Sequence, residues 1–262
     1  LREAAARYMG GMRGLGIRPE EVVVGAGAKP FIAYTILSVT DHGCGDEVIY
    51  PNPGFPIYES QIRAAGAVPV PLSLIEARNF AFDPSELEAR ITPRTKLLIL
   101  NSPHNPTGGI LAKKDLEDIA SILRRHPDIW VYADEIYSRL VYDGAFASIA
   151  SLPGMVERTI ICDGASKTWA MTGWRIGFAS NPVLAPQFAR WVTNTDSCAS
   201  QISQWAALEA IQGPQDDAEA MRRSFLELRD LIMGLLNRVP GVTCKTPGGA
   251  FYAWPNVTEA CR

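Results

Sequence analysis

Short apolar runs rich in β-branched residues alternate with helical patterns along most of the chain. Val22-Val23-Val24, Glu47–Tyr50, Val68–Leu72, Lys96–Leu100, Ile129–Ala133, Thr159–Cys162 and Ile176–Ser180 read as strands. Between them, Lys113–Arg125 places Leu116, Ile119, Ala120 and Leu123 on one helical face, and Pro30–Val39 reads as a helix following a glycine-rich turn. Asp83-Pro84, followed by Glu86 and Leu87, has the form of a capped helix start. Alternation of this kind predicts an α/β fold, a three-layer α/β/α arrangement with helices on both faces of a mostly parallel sheet.

The last third changes character. Val183–Val192, Gln201–Gln212 and Asp216–Asn237 read as successive helices, the third with Met221, Phe225, Leu228, Leu231, Ile232 and Leu235 on an expected buried stripe. Its length suits a connector between domains. Pro240–Thr243 and Gly249–Trp254 then look like strands opening a smaller α+β domain. The expected division is therefore residues 1–215 as a large domain and 216–262 as the connecting helix with the first part of a small one.

Composition narrows the class of protein without naming it. Nearly half of the 262 residues are apolar and a fifth are charged, with a formal net charge of −3 and both signs interspersed. That leaves no basic face for nucleic acid and no apolar run long enough for a membrane span. The expectation is a soluble, cytoplasmic protein with neither partner. Cys44, Cys162, Cys198, Cys244 and Cys261 form no CxxC pair, and His42, His104 and His126 show no ligand spacing, so no metal site is expected. The histidines sit beside turn residues and read as loop or surface groups.

Ligands of open α/β sheets gather at the carboxyl ends of the strands. Three consecutive predicted strands there deliver Asn101 to Gly109, then Asp134-Glu135-Ile136-Tyr137, then Gly164-Ala165-Ser166-Lys167. An earlier strand runs through Gly25-Ala26-Gly27-Ala28-Lys29 into a helix, where free backbone N–H groups can face a phosphate. Phe55, in the turn Pro53-Gly54-Phe55-Pro56, can cover a flat ring. Each feature taken singly also has a plain structural reading. Asn105-Pro106-Thr107-Gly108 makes a good turn, Asp134 with Tyr137 a helix cap, Phe55 a core residue and Arg175 a surface arginine. Their joint placement in order at the strand ends favours a site.

Lys167 gives that site its chemistry. It lies among small and apolar neighbours, with Arg175 two helical turns downstream. A lysine that attacks a carbonyl needs a depressed pKa, and an apolar setting beside a second cation supplies one. The arginine offers a fork for a phosphate. A lysine amine with a phosphate anchor is what pyridoxal 5'-phosphate requires of a protein. Its ring nitrogen needs a buried carboxylate such as Asp134, and its ring oxygen needs donors such as Asn105 and Tyr137.

At this point the chain resembles the class I/II aminotransferases of the fold-type-I pyridoxal-phosphate enzymes, the aspartate aminotransferase-like group. Asn105-Pro106-Thr107-Gly108, Asp134-Glu135-Ile136-Tyr137 and Ser166-Lys167 with Gly173-Trp174-Arg175-Ile176-Gly177 carry the resemblance, supported by Gly27-Ala28-Lys29. It implies that Lys167 forms the internal aldimine and shuttles a proton, that Asp134 pairs with the ring nitrogen, and that Asn105 and Tyr137 bond the ring oxygen. Phe55 would stack on the ring, and Gly27, Ala28, Lys29, Ser166 and Arg175 would shape or hold the phosphate site. Some relatives have a serine where this chain has Gly164, and Ser166 is the substitute.

The resemblance further implies amino-group transfer between an L-amino acid and a 2-oxo acid, in a homodimer with shared active sites. It implies that an N-terminal arm, a tyrosine lent to the partner and the arginine for the substrate carboxylate lie outside this sequence. Leu1–Tyr8 enters mid-helix and Thr258–Arg262 ends abruptly, in keeping with that expectation. Two other readings stay open: a β-eliminating lyase on the same scaffold, and a non-catalytic cofactor-binding module.

Overall fold

The computed structural model describes residues 1–262. Its strands are β1 (Val22–Ala26), β2 (Glu47–Asn52), β3 (Val68–Ser73), β4 (Thr95–Asn101), β5 (Trp130–Asp134), β6 (Thr159–Gly164), β7 (Ile176–Ser180), β8 (Thr243–Cys244) and β9 (Pro255–Asn256). The helices are α1 (Arg2–Arg13), α2 (Pro30–Val39), α3 (Ile57–Ala64), α4 (Pro84–Arg90), α5 (Lys113–Arg124), α6 (Ala165–Thr168), α7 (Ala185–Thr195), α8 (Gln201–Gln212) and α9 (Asp216–Leu236). The first seven strands form one sheet in the order β1-β7-β6-β5-β4-β2-β3. Within it only β7 runs antiparallel to its neighbours. The predicted α/β/α architecture is what is found.

Successive residues of the central strands point to opposite faces, and both faces are covered. Leu97, Ile99, Tyr132, Ile160 and Cys162 join the core under α2, α3 and α7, with Phe31, Tyr58 and Phe188. Leu98, Leu100, Val131 and Ala133 pack on the other side with Leu87 of α4 and Leu116, Ile119 and Leu123 of α5. Ile161, Ile176 and Phe178 continue that side beneath Ala5, Met9 and Ala207 of α1 and α8. This two-sided burial is why β4 reads as the unbroken apolar run Leu97–Leu100. The Asp83 cap also forms, accepting the Ser85 backbone N–H at 2.9 Å.

Several expectations need correction. The α9 helix exists, but its stripe is not buried: Leu228, Leu231, Ile232 and Leu235 are between 42% and 60% exposed, and only Met233 is fully covered. Helical spacing says which residues share a face, not whether anything lies over that face. Gly249–Trp254 is not a strand; it follows turns back over the large sheet, with the Ala250 N–H donating to Leu140 O at 2.8 Å. Strand structure near the C-terminus is limited to the two-residue pair β8–β9. The helix bearing Lys167 spans only four residues, so Arg175 does not share it. Tyr137 lies in a turn rather than a helix. His104 is no surface group: it is buried, its Nδ1 lies 2.8 Å from Thr107 Oγ1, and burial pushes it down to about 3, so its ring is neutral.

One buried ion cluster ties α1 to the sheet. Arg13 Nε donates to Glu135 Oε2 at 2.5 Å and Arg13 Nη2 to Asp163 Oδ2 at 2.9 Å, all three side chains being almost wholly enclosed. Burial works against the guanidinium charge, but the two carboxylates outweigh it and hold Arg13 above its ordinary value. Gly14, left-handed at φ 66°, ends α1 directly afterwards. Replacing Arg13 with Met would leave two buried carboxyls without their cation, an expected loss of about 3–5 kcal/mol in chemical denaturation. An unchanged denaturation midpoint would show that the cluster does not hold α1.

Candidate active site

The ends of β4, β5 and β6 converge with the β1–α2 turn on a cavity of about 450 Å³. Ala28, Lys29, Phe55, Asn105, Asp134, Tyr137, Ser166, Lys167 and Arg175 all line it. Of the residues predicted from sequence, only Gly27 is not in the lining, and it acts from behind. An added Cβ there would come within 2.0 Å of Arg175 Nη2, at a φ of +95°. Sequence reasoning missed Tyr58, Thr172 and Tyr252, which also line the cavity. Tyr58 follows Phe55 by three residues on α3, a spacing that carries signal only once the helix start is known. Tyr252 was hidden by the expectation of a strand.

Asp134 sits at the tip of β5, 8% exposed. Its Oδ2 accepts the Tyr58 hydroxyl at 2.7 Å, while Oδ1 has only a long contact of 3.5 Å with the Ile136 N–H. Burial raises this carboxyl to about 6; the Tyr58 hydrogen bond and the Lys167 charge oppose the rise without cancelling it. The result is a buried acid lacking a close cation, in a cavity open to a ligand. A protonated ring nitrogen fits that vacancy of charge.

Lys167 is half-buried on α6. Burial, and then the charge of Arg175, hold its amine below the ordinary value, with Asp134 pulling the other way. Aromatic rings flank it, with Nζ 5.2 Å from the Phe251 centroid and 5.8 Å from that of Tyr137. Phe55 meets Tyr58 edge-on at 5.7 Å, and Lys29 Nζ stands 5.7 Å from the Phe55 ring.

The cationic end is built from backbone. Arg175 adopts φ 53°, left-handed for a non-glycine residue, and donates from Nη1 to Thr172 O at 2.8 Å and from Nη2 to Ala26 O at 3.3 Å. Gly177 lets β7 press against the β1–α2 turn, since a Cβ there would lie 2.2 Å from Ala28 N. Pro30 at the start of α2 has no N–H, and the Phe31 and Ile32 N–H groups bond Ala28 O at 3.2 Å and Lys29 O at 3.1 Å, so a ligand meets the Ala28–Lys29 turn ahead of the helix. Arginine fork, that turn and Ser166 together suit a phosphate. No cluster of His, Cys, Asp and Glu has the geometry of a metal site.

The comparisons with known proteins agree with this geometry. The family profile described as "Aminotransferase class I and II" matches residues 1–261. The aspartate/prephenate aminotransferase of Cereibacter sphaeroides is 40% identical, covering 94% of this chain and 62% of its own length. The asparagine–oxo-acid transaminase of Streptococcus mutans is 40% identical, covering 99% of this chain and 66% of its own. Among solved structures, the aspartate aminotransferase from Rhizobium meliloti superposes with a TM-score of 0.94 at 36% identity, over 98% of this chain and 65% of that one. The chain belongs to the class I and II aminotransferases, a family of pyridoxal-phosphate enzymes, and it spans just under two thirds of the length of these relatives.

Because the Asp134 carboxyl lies above its unfolded value, the folded state binds the extra proton between about pH 4 and pH 6. Its contribution to stability is present below that window and lost as pH rises through it. Asp134→Asn should therefore stabilise the cofactor-free protein at pH 7.5 by about 2 kcal/mol, with little effect at pH 4. Thermal unfolding at the two pH values checks this; equal changes at both would contradict the assignment of a strained acid.

Proposed function

We propose that the protein is a pyridoxal-phosphate-dependent aminotransferase that moves an amino group from an L-amino acid to a 2-oxo acid. The observation that carries this reading is one cavity lined by a lysine that burial and Arg175 hold below its ordinary value, with a buried acid to one side of it and an arginine fork to the other. Names of the relatives make aspartate, asparagine and prephenate the first substrates to assay.

In this reading Lys167 Nζ is the attachment point for the cofactor. When bound, the cofactor supplies an electron-poor ring that stores the charge left when a Cα–H bond breaks. Asp134 holds a proton on the ring nitrogen by its negative charge. Asn105 and Tyr137 bond the ring oxygen, and Phe55 covers the ring face. Arg175, with the Ala28 and Lys29 end of α2 and Ser166, holds the phosphate. With the cofactor bound, the Lys167 amine would be the base that takes the substrate Cα proton and the acid that gives it back. Its lowered pKa keeps a larger share of it neutral for that task.

The same reading assigns residues 1–215 to the cofactor domain and 216–262 to the connecting helix and the start of a small domain. It also expects a homodimer with shared sites, working in the cytoplasm. Exposed apolar side chains that such a contact could cover lie on α8 (Ile202, Trp205) and α9 (Leu228, Leu231, Leu235), and no helix is long and apolar enough to cross a membrane.

Lys167→Ala tests the reading. The absorbance band of the lysine–cofactor linkage and transamination should both disappear; an unchanged spectrum with retained transfer would overturn it. Pyruvate and ammonia released from cysteine without any 2-oxo acid acceptor would replace it with elimination. Gly27→Ala, which drives a methyl into the Arg175 fork, should weaken cofactor binding about tenfold, as expected for one lost charge-assisted phosphate contact. Equal cofactor affinity in a fluorescence titration would detach Arg175 from the phosphate role.

A further inference from the structure

Tyr252 stands where the C-terminal segment crosses the cavity, and its hydroxyl lies 2.6 Å from that of Tyr137. The segment is anchored by the residues directly before it. Gly249 N–H donates to Gly108 O at 3.1 Å, Ala250 N–H donates to Leu140 O at 2.8 Å, and the Tyr142 hydroxyl donates to Ala250 O. Ala250 itself is fully buried in a left-handed conformation at φ 59°. Phe251 packs edge-on against Tyr137 at 5.4 Å and against Tyr252 at 4.9 Å. Packing and backbone bonds thus place the Tyr252 oxygen.

A phenol has one proton to donate. Two phenol oxygens 2.6 Å apart share one of their two protons, so the direction of that bond decides which oxygen has a proton left for a third partner. We propose that Tyr252 is a positioning residue that donates to Tyr137 and thereby commits the Tyr137 proton to the ring oxygen of the bound cofactor. The inference rests on the cofactor assignment above. A donor chain of this kind polarises each link, so the second bond is stronger than Tyr137 would make alone.

The two phenols alone permit either direction, and the third partner decides it. Burial, with Tyr252 and Asp134, keeps the Tyr137 phenol protonated, so it has a proton to give; without a third partner the Tyr252 contact raises Tyr137 as a bond donated by Tyr137 does, and a ring oxygen is what turns that bond round. The other groups facing it are Lys167 from α6, Asp134 from the tip of β5, Tyr58 from α3 and Asn105 from the loop after β4. With an anionic ring oxygen in the cavity, the arrangement in which Tyr137 points away would leave that charge short of a donor, at greater cost than reversing one phenol–phenol bond.

The test reads the pH midpoint of the cofactor's visible absorbance in the intact holoprotein. Donation to the ring oxygen stabilises its negative charge and lowers the affinity of the cofactor–lysine pair for its shared proton. Tyr252→Phe keeps the ring packing and removes the donated proton, so the midpoint should rise by about half a pH unit. Tyr137→Phe should raise it further, and adding Tyr252→Phe to that variant should change nothing more. An unmoved midpoint in Tyr252→Phe, or a shift that persists undiminished in the Tyr137→Phe background, would overturn the proposal. No visible absorbance from wild-type protein with pyridoxal phosphate would instead overturn the cofactor assignment, and this proposal with it.

Discussion

The enclosed triad of Arg13, Glu135 and Asp163 is the constraint on which the site's geometry depends. Glu135 directly follows Asp134, and Asp163 directly precedes Gly164 at the start of the Lys167 helix. One guanidinium therefore fixes the ends of two adjacent strands at the point where both deliver their functional side chains. Ser138 adds a hydroxyl to the same Asp163 oxygen at 3.0 Å, drawing in the turn that bears Tyr137. Three cavity residues thus take their positions from a single buried charge contributed by α1. A buried ion cluster is costly to assemble, and a hydrophobic substitute could be as stable. Its directional bonds nevertheless pin backbone that apolar packing would leave free to slide.

The opposite end of the cavity depends on close approach of backbones. Gly177 and Gly27 leave room for the β7 edge and the Arg175 fork to meet the β1–α2 turn. Arg175 holds a left-handed backbone and spends two of its donors on the carbonyls of Thr172 and Ala26. Strain at such a position persists only where its surroundings enforce it. Here the antiparallel pairing of β7 on both sides supplies the enforcement.

How much of this was legible in the sequence follows from the physics of each element. The sheet was readable because its strands are buried on both faces, which leaves uninterrupted apolar runs such as Leu97–Leu100. Asn105, Asp134, Tyr137 and Lys167 were readable because parallel strands deliver their polar residues to one edge, so order along the chain becomes proximity in space. Tyr58 and Tyr252 were not readable in this way, since each reaches the site through tertiary packing rather than a strand end. The exposure of Leu228, Leu231 and Leu235 was equally hidden, because periodicity reports a face and not its cover. Nothing in the sequence marks Arg13; only the fold brings it beneath two carboxylates distant in sequence.

These pieces give the cavity a charge axis. At one end Asp134 is an acid lifted by burial, with the Glu135 and Asp163 cluster behind it; at the other stand Arg175 and Lys29, with Lys167 between. A ligand with a cationic ring atom and an anionic phosphate neutralises both ends in one orientation only, and reversal would put like charges together at each. Shape alone would discriminate weakly, since a flat ring fits either way round. In the proposed reading electrostatics would select the orientation, the one that turns the ring oxygen toward Tyr137 and Asn105 and the reactive carbon toward Lys167. The lowered lysine and the raised acid share a first cause, since burial is the largest influence on each, and the charge of Arg175 at the cationic end adds to it at Lys167.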